Sequence, residues 1–514
     1  MKIGLLVLMF MMTSAGFALE LAPVFTDHMV LQRGAKVPVW GTAKANAKIM
    51  VTFAGQSVKT RANKKGDWKV SLKPLKANST AAILKVRSSS QTVEINDVLV
   101  GEVWFACGQS NMRWEVKQSA QGGREIPKAD FPEIRLLDYR ANKAFYPNSQ
   151  IFPVEKLRGL TADTYYQTKG WQSCSPQTAA SFSAVAYYFA KDLHEELDVP
   201  IGVIHTAVGG TLTESYISRE KMASVDELKS LSENWLSSKS VGTWCQGRAR
   251  RNLSAWIKQY PKEPLAHHPF EPGFLFDAGI RPLISFAIKG AIWYQGESNA
   301  PTSTRESYVN GYDIESSKLK MVTMVNDWRE RWGQGKFPFL YVQLPGMNRP
   351  WPIYREMQFE LRKSIKNTGM AVTYDWGHPT NVHPGDKKVV GHRLALIAQR
   401  KIYKKDVVYS GPVYKAFKVK GSKILLRFSG VGKGDKALAT FNGDKDLKGF
   451  EIAGENGEFY PATATIKGDG IVLFSAKVKK ATQARYAWMN DPKGKANFGN
   501  KAGLPASPFR TSKK

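Results

Sequence analysis

Apolar and polar positions alternate through the first hundred residues. Lys48-Ile49-Met50-Val51-Thr52-Phe53 and Trp68-Lys69-Val70-Ser71-Leu72 are examples, with turns at Ala54-Gly55 and Asn63 to Gly66 between them. A period of two predicts short half-buried strands, and their spacing predicts a small β-sandwich over residues 19–97. From about 98 to 405 the pattern changes. Apolar runs at Val98 to Phe105, Pro200 to His205, Ile288 to Tyr294, Phe337 to Leu344 and Met370 to Tyr374 read as buried strands. Between them, Ala179 to Leu197 carries Phe182, Val185, Tyr188, Phe189, Leu193 and Leu197 on one helical face, and Val389 to Ile402 reads as a second helix. Strand, helix, strand in alternation predicts an α/β unit: a parallel sheet with helices on both faces. Residues 406–514 return to β, with Ile424 to Phe428 and Ile471 to Phe474 as strands between Gly-rich turns.

Length sharpens this division. A chain of 514 residues is too long for one ordinary core, and about three domains is the length prior. With 43% hydrophobic and 11% aromatic residues it has ample material to bury. Residues 1–18 read as a cleavable secretory signal: Lys2, an apolar run from Leu5 to Met12, and Gly16-Phe17-Ala18 before a cut after Ala18. The expected location is therefore periplasmic or secreted. No later segment is apolar enough to be read as a transmembrane helix. Three cysteines, Cys107, Cys174 and Cys245, cannot make a disulfide scaffold and fit no zinc spacing.

Formal charge is +30, or +29 without residues 1–18, which carry only Lys2. Residues 411–514 hold 20 Lys/Arg against 8 Asp/Glu, a net +12. Such a surface attracts anions. The lysines are scattered rather than set in a stripe with a reader motif, so nucleic acid is not the expected partner. A solvated basic surface accounts for the charge, and attraction to an acidic glycan is the sharper alternative.

The candidate chemistry lies where predicted strands end. Val98 to Phe105 runs into Cys107-Gly108-Gln109-Ser110-Asn111-Met112, which sets Ser110 on a tight turn at the C-terminal edge of a sheet, where open α/β folds bind ligands. Alone, a serine there is an ordinary turn former. Met112 excludes the Gly-x-Ser-x-Gly elbow. Three further blocks strengthen the case. Thr206 to Thr211 contains Gly209-Gly210, where backbone N–H groups can approach a ligand closely. Gln295-Gly296-Glu297-Ser298-Asn299 offers an amide donor and a carboxylate. Tyr374 to Asp386 offers His378 and His383, two candidate bases for a serine.

In this order the four blocks resemble the sialate O-acetylesterase family of the SGNH hydrolase superfamily. Phe25 to Arg33, Pro38-Val39-Trp40-Gly41, Phe286 to Ala300, Val325 to Arg329 and Gly503 to Thr511 are similar to it as well, so the resemblance runs from about 24 to 511. It implies a flavodoxin-like three-layer α/β/α domain flanked by β-sandwich-like regions. It implies Ser110 as nucleophile and His383 as base. The implied oxyanion hole is the Ser110 N–H, a glycine of Gly209-Gly210 and the Gln295 side chain. The implied activity is removal of O-acetyl groups from sialic acid or from polysaccharides such as xylan and xyloglucan, through an acetyl-serine intermediate. No metal or organic cofactor is implied. Relatives carry aspartates about where this chain has His378 and Asn381. The orienting acid is thus open between Asp375, Asp386 and Glu297, or a dyad operates in which a backbone carbonyl or Asn381 orients His383. Asp277 stands where relatives have asparagine. The competing expectation is an esterase fold that binds sugar with weak or no catalysis.

Overall fold

The computed structural model describes residues 18–148, 150–231, 233–303 and 313–512. The predicted signal segment lies outside the described residues except for Ala18. Among the described residues, no helix is long and apolar enough to cross a membrane.

The organising element is a 17-residue strand, β1 (Thr92–Gly108). Its first half alternates exposed and buried positions, and from Val98 onward every residue is buried. The change follows from its neighbours. The first half pairs antiparallel with Asn78–Arg87, on a sheet with one face toward water. Val98 to Gly101 lies between Val30–Gln32 and the start of Asn78–Arg87, and from Glu102 onward the strand enters a parallel sheet under helices, where both faces must be apolar. The remaining strands of that sheet are β2 (Phe131–Asp138), β3 (Trp171–Cys174), β4 (Ile201–His205), β5 (Gly290–Tyr294), β6 (Phe339–Val342) and β7 (Thr368–Ala371). Their order is β3-β2-β4-β1-β5-β6-β7. All pairings are parallel except β3 with β2. The expected purely parallel sheet is therefore mixed. It has an antiparallel edge, and through β1 it joins the N-terminal sheet.

Four helices cover the sheet: α1 (Ala184–Leu197), α2 (Ile314–Trp332), α3 (Pro352–Ser364) and α4 (Lys388–Lys401). Side chains alternate across a strand. Trp104 and Ala106 of β1 accordingly join one core with α1 and α4, while Val103, Phe105 and Cys107 join another with α2 and α3. The helix expected over 179–197 is interrupted. Ser183 begins a new helix by accepting the Ala186 N–H on its hydroxyl, and that hydroxyl donates to Met112 O (2.6 Å), which ties α1 to the segment after Ser110. No disulfide joins the three buried cysteines.

At the N-terminus, the sheet of Glu20–Leu21, Val37–Thr42 and Asp67–Leu72 packs on the one that holds Lys48–Phe53 and Asn78–Arg87, with Val39, Val70, Val51 and Val86 in one core. At the C-terminus, two four-stranded sheets enclose Leu426, Leu473, Ile452 and Tyr486. Tyr374, from the turn after β7, enters this core with its hydroxyl 2.7 Å from that of Tyr486. Arg355 of α3 is fully buried; its two terminal nitrogens donate to Pro345 O, Met489 O and Asn490 O, while its Nε has no partner among the described residues.

Candidate active site

β1, β4, β5 and β7 all end on one edge of the sheet, which brings the four sequence blocks together. β1 ends at Gly108, whose φ of +138° and close approach to β5 both require glycine: a Cβ there would stand 2.2 Å from Tyr294 O. Gln109 then accepts the N–H groups of Gly296 and Ser298 on its side-chain oxygen (both 3.3 Å), which locks this turn to the one after β5. Ser110 opens a single helical turn, Ser110–Arg113. Its hydroxyl oxygen is hydrogen-bonded to His383 Nε2 at 2.8 Å, although 273 residues separate the two in sequence. The His383 ring stacks on Trp114, with centroids 4.8 Å apart and planes at 27°.

The other blocks close around this pair. A Cβ on Gly209 would lie 3.5 Å from Ser110 Cβ, so the Gly209 backbone passes beside the serine. Among the described residues, the N–H groups of Ser110, Gly209 and Gly210 have no hydrogen-bond acceptor. A cavity of about 230 Å³ opens in front of them, lined by Tyr146, Trp244, Glu297, Arg349 and His383 among others. A hydroxyl bonded to an imidazole, beside convergent N–H donors in a concave pocket, is a geometry for acyl transfer.

The chain aligns with sialate O-acetylesterase of Rattus norvegicus at 26% identity, over 96% of this chain and 94% of that one. The Homo sapiens sialate O-acetylesterase is also 26% identical, over 96% and 93%. No family model matches the chain. A solved carbohydrate acetylesterase from Xanthomonas citri is 31% identical, superposes with a TM-score of 0.77, and covers 96% of this chain and 100% of that one. The chain belongs to the sialate O-acetylesterase family. It is a carboxylic-ester hydrolase.

Within this esterase, six residues singled out in the sequence are engaged elsewhere. Gln295 is buried, and its amide nitrogen donates to Thr211 O (3.1 Å) and Asn299 Oδ1 (2.6 Å). Both amide hydrogens are thus occupied, and the side chain is not part of the pocket wall. Asp375 forms a bidentate pair with Arg393 of α4 (2.7 and 2.6 Å), with both groups nearly buried. Asn381 accepts the backbone N–H of His383 (2.9 Å), so it shapes the loop and leaves the ring alone. His378 likewise caps its own loop, accepting from Asn381 N. Asp386 accepts from Gln121 and from Val389 N. Asp277 pairs with Arg281 and Arg219. Among the described residues, no carboxylate bonds Nδ1 of His383.

Glu297 does reach the site. It is 4% exposed and accepts from Asn111 Nδ2 (2.5 Å), while its second oxygen has no partner among the described residues. Burial pushes its carboxyl above the usual range, against the lowering effect of the Asn111 bond. Asn111 also donates to Val382 O (2.9 Å) and accepts from Lys387 Nζ. Lys387, absent from the sequence reading, is 1% exposed, and burial pulls its ammonium down to about 7. Burial first, and the Lys387 charge second, pull His383 down to about 4. Its imidazole is therefore neutral and able to accept a proton in mildly acid as well as neutral water.

Proposed function

We propose that the protein is an exported carbohydrate O-acetylesterase that works through an acetyl-serine intermediate, with Ser110 as nucleophile and His383 as base. The observation that carries this is the 2.8 Å bond from the Ser110 hydroxyl to His383 Nε2, beside N–H groups at neighbouring strand ends. Ser110 gives its proton to Nε2 as Oγ attacks the acetyl carbon. The carbonyl oxygen gains negative charge and is met by the N–H groups of Ser110, Gly209 and Gly210. His383 returns the proton to the departing sugar oxygen. A water then gives its proton to His383 and attacks the acetyl-serine, which releases acetate and restores the Ser110 hydroxyl. The chain is read as an SGNH-type α/β/α catalytic domain over residues 98–405, with β modules at 19–97 and 406–514 and a signal segment at 1–18. Arg349 in the pocket wall and the basic charge of the whole chain favour a glycan that carries carboxylates.

Acetate release from 4-nitrophenyl acetate, then from acetylated neutral and anionic glycans, tests the reading against Ser110→Ala. Release that disappears in the variant supports serine acyl transfer. Equal release from both proteins overturns it. For the anionic substrate, added salt should lower turnover of the acidic glycan more than that of the neutral one. Equal salt response rules out the charge preference.

A further inference from the structure

We propose that Lys387 is a positioning residue for the Ser110–His383 pair, acting through Asn111 to tie the nucleophile turn to the loop that carries the base. The inference rests on the reading of Ser110 and His383 given above. Its physical basis is one buried junction. The Lys387 ammonium bonds Asn111 Oδ1, and Asn111 is the residue next to Ser110. The amide nitrogen of Asn111 bonds Val382 O, one residue before His383, and the Glu297 carboxylate, three residues past β5. One side chain thus joins three of the four strand-end blocks, and Lys387 and Glu297 hold it from opposite ends. Lys387 Nζ also stands 5.7 Å from the Trp114 ring on which His383 stacks, and 5.7 Å from the Tyr294 ring. A buried ammonium is costly unless paired and hydrogen-bonded, so the junction holds only while Asn111 and Glu297 complete it.

The charge has a second effect. A cation beside an imidazole opposes its protonation. Lys387 therefore weakens the base while keeping it unprotonated further into acid. The other charged or titratable groups around the junction are Glu297, Asp386, Arg349 and Tyr294; the first two favour the charged Lys387, and Arg349 favours the charged Glu297.

The test measures kcat and KM on 4-nitrophenyl acetate against pH for wild type, Lys387→Met, Lys387→Arg, Glu297→Gln and the Lys387→Met/Glu297→Gln pair, with thermal melts to check folding. In Lys387→Met, kcat should fall roughly tenfold or more with little change in KM, the mark of lost transition-state positioning. Its acid limb should move up by about one pH unit. Lys387→Arg, which keeps the charge, should keep the wild-type limb. The double variant should lose less than the product of the two single losses, because a neutral pair replaces a broken one. An acid limb unmoved in Lys387→Met, or losses that simply multiply, overturns the proposal. If Lys387→Met does not fold, the limb in Lys387→Arg and the kcat of Glu297→Gln decide instead. Lys387→Met matching wild type, in a protein that still requires Ser110, removes this inference alone. Release independent of Ser110 removes it together with the nucleophile reading.

Discussion

With no carboxylate on its second nitrogen among the described residues, the His383 ring is held by its bond to Ser110 and its stack on Trp114. Trp114→Ala tests that account. An aromatic stack contributes about 0.5–1.5 kcal/mol beyond its buried area. At about 1.4 kcal/mol per tenfold, full expression of that energy in the transition state lowers kcat by about twofold to tenfold. This is far less than the roughly 10⁴-fold drop on disabling a triad aspartate, so the magnitude itself distinguishes the two arrangements. Trp114→Phe should retain most of the rate, since it keeps a flat ring. It also removes an indole N–H that is buried without a partner among the described residues, so it should cost little stability. The assay is kcat and KM on 4-nitrophenyl acetate at a pH above the acid limb, with melting temperatures alongside. Unchanged kcat in a folded Trp114→Ala protein would refute the reasoning, as would a Phe variant as slow as the Ala variant.

The acid limb of kcat/KM should lie near about 4 rather than at the ordinary histidine value of 6.5, because His383 is lowered in the folded state; a limb near 6.5 in the wild-type protein would contradict the burial argument. The same lowering links His383 to stability: its contribution is present above 6.5 and is lost as pH falls through about 4, since the unfolded chain binds the proton first. Asp375→Asn should cost about 3–5 kcal/mol of stability by leaving the Arg393 charge unpaired, as read by chemical denaturation. The folded fraction should keep its kcat, and a loss of orders of magnitude would restore Asp375 as the orienting acid. Gln295→Ala should melt earlier while kcat falls less than the roughly hundredfold typical of a lost oxyanion donor, and a larger fall would mean its amide turns to the substrate during reaction.

The buried strands were legible because parallel strands covered on both faces must be apolar throughout, and Val98 to Phe105 is such a run. The turn at Ser110 was legible for the same reason, since the run stops there. α2 was equally readable, because Met321, Met324, Val325, Trp328 and Trp332 recur at helical spacing, yet a reading centred on strands leaves that signal unused. The choice of His383 over His378 came from the family resemblance and not from local pattern, as both sit in the same polar loop. Lys387 offered no signal. It stands beside Lys388 and looks like surface charge until the loop folds onto Asn111, 276 residues earlier. The engagement of Asp375 with Arg393 was hidden in the same way, since a carboxylate shows its partner only once α4 has packed.

β1 belongs to two sheets at once, and that limits how the gene can be divided. A cut between residues 97 and 98 would sever a hydrogen-bonded strand in mid-course. It would part Asn78, Ala82 and Val30–Gln32 from their partners at Val98–Gly101, and leave the α/β sheet's central strand, the one that delivers Ser110, without its leading residues Thr92 to Asp97. Accessory sugar-binding modules often travel between enzymes as interchangeable cassettes joined by linkers. The N-terminal β region cannot travel that way, because it is spliced by its backbone into the catalytic sheet and must be inherited with it.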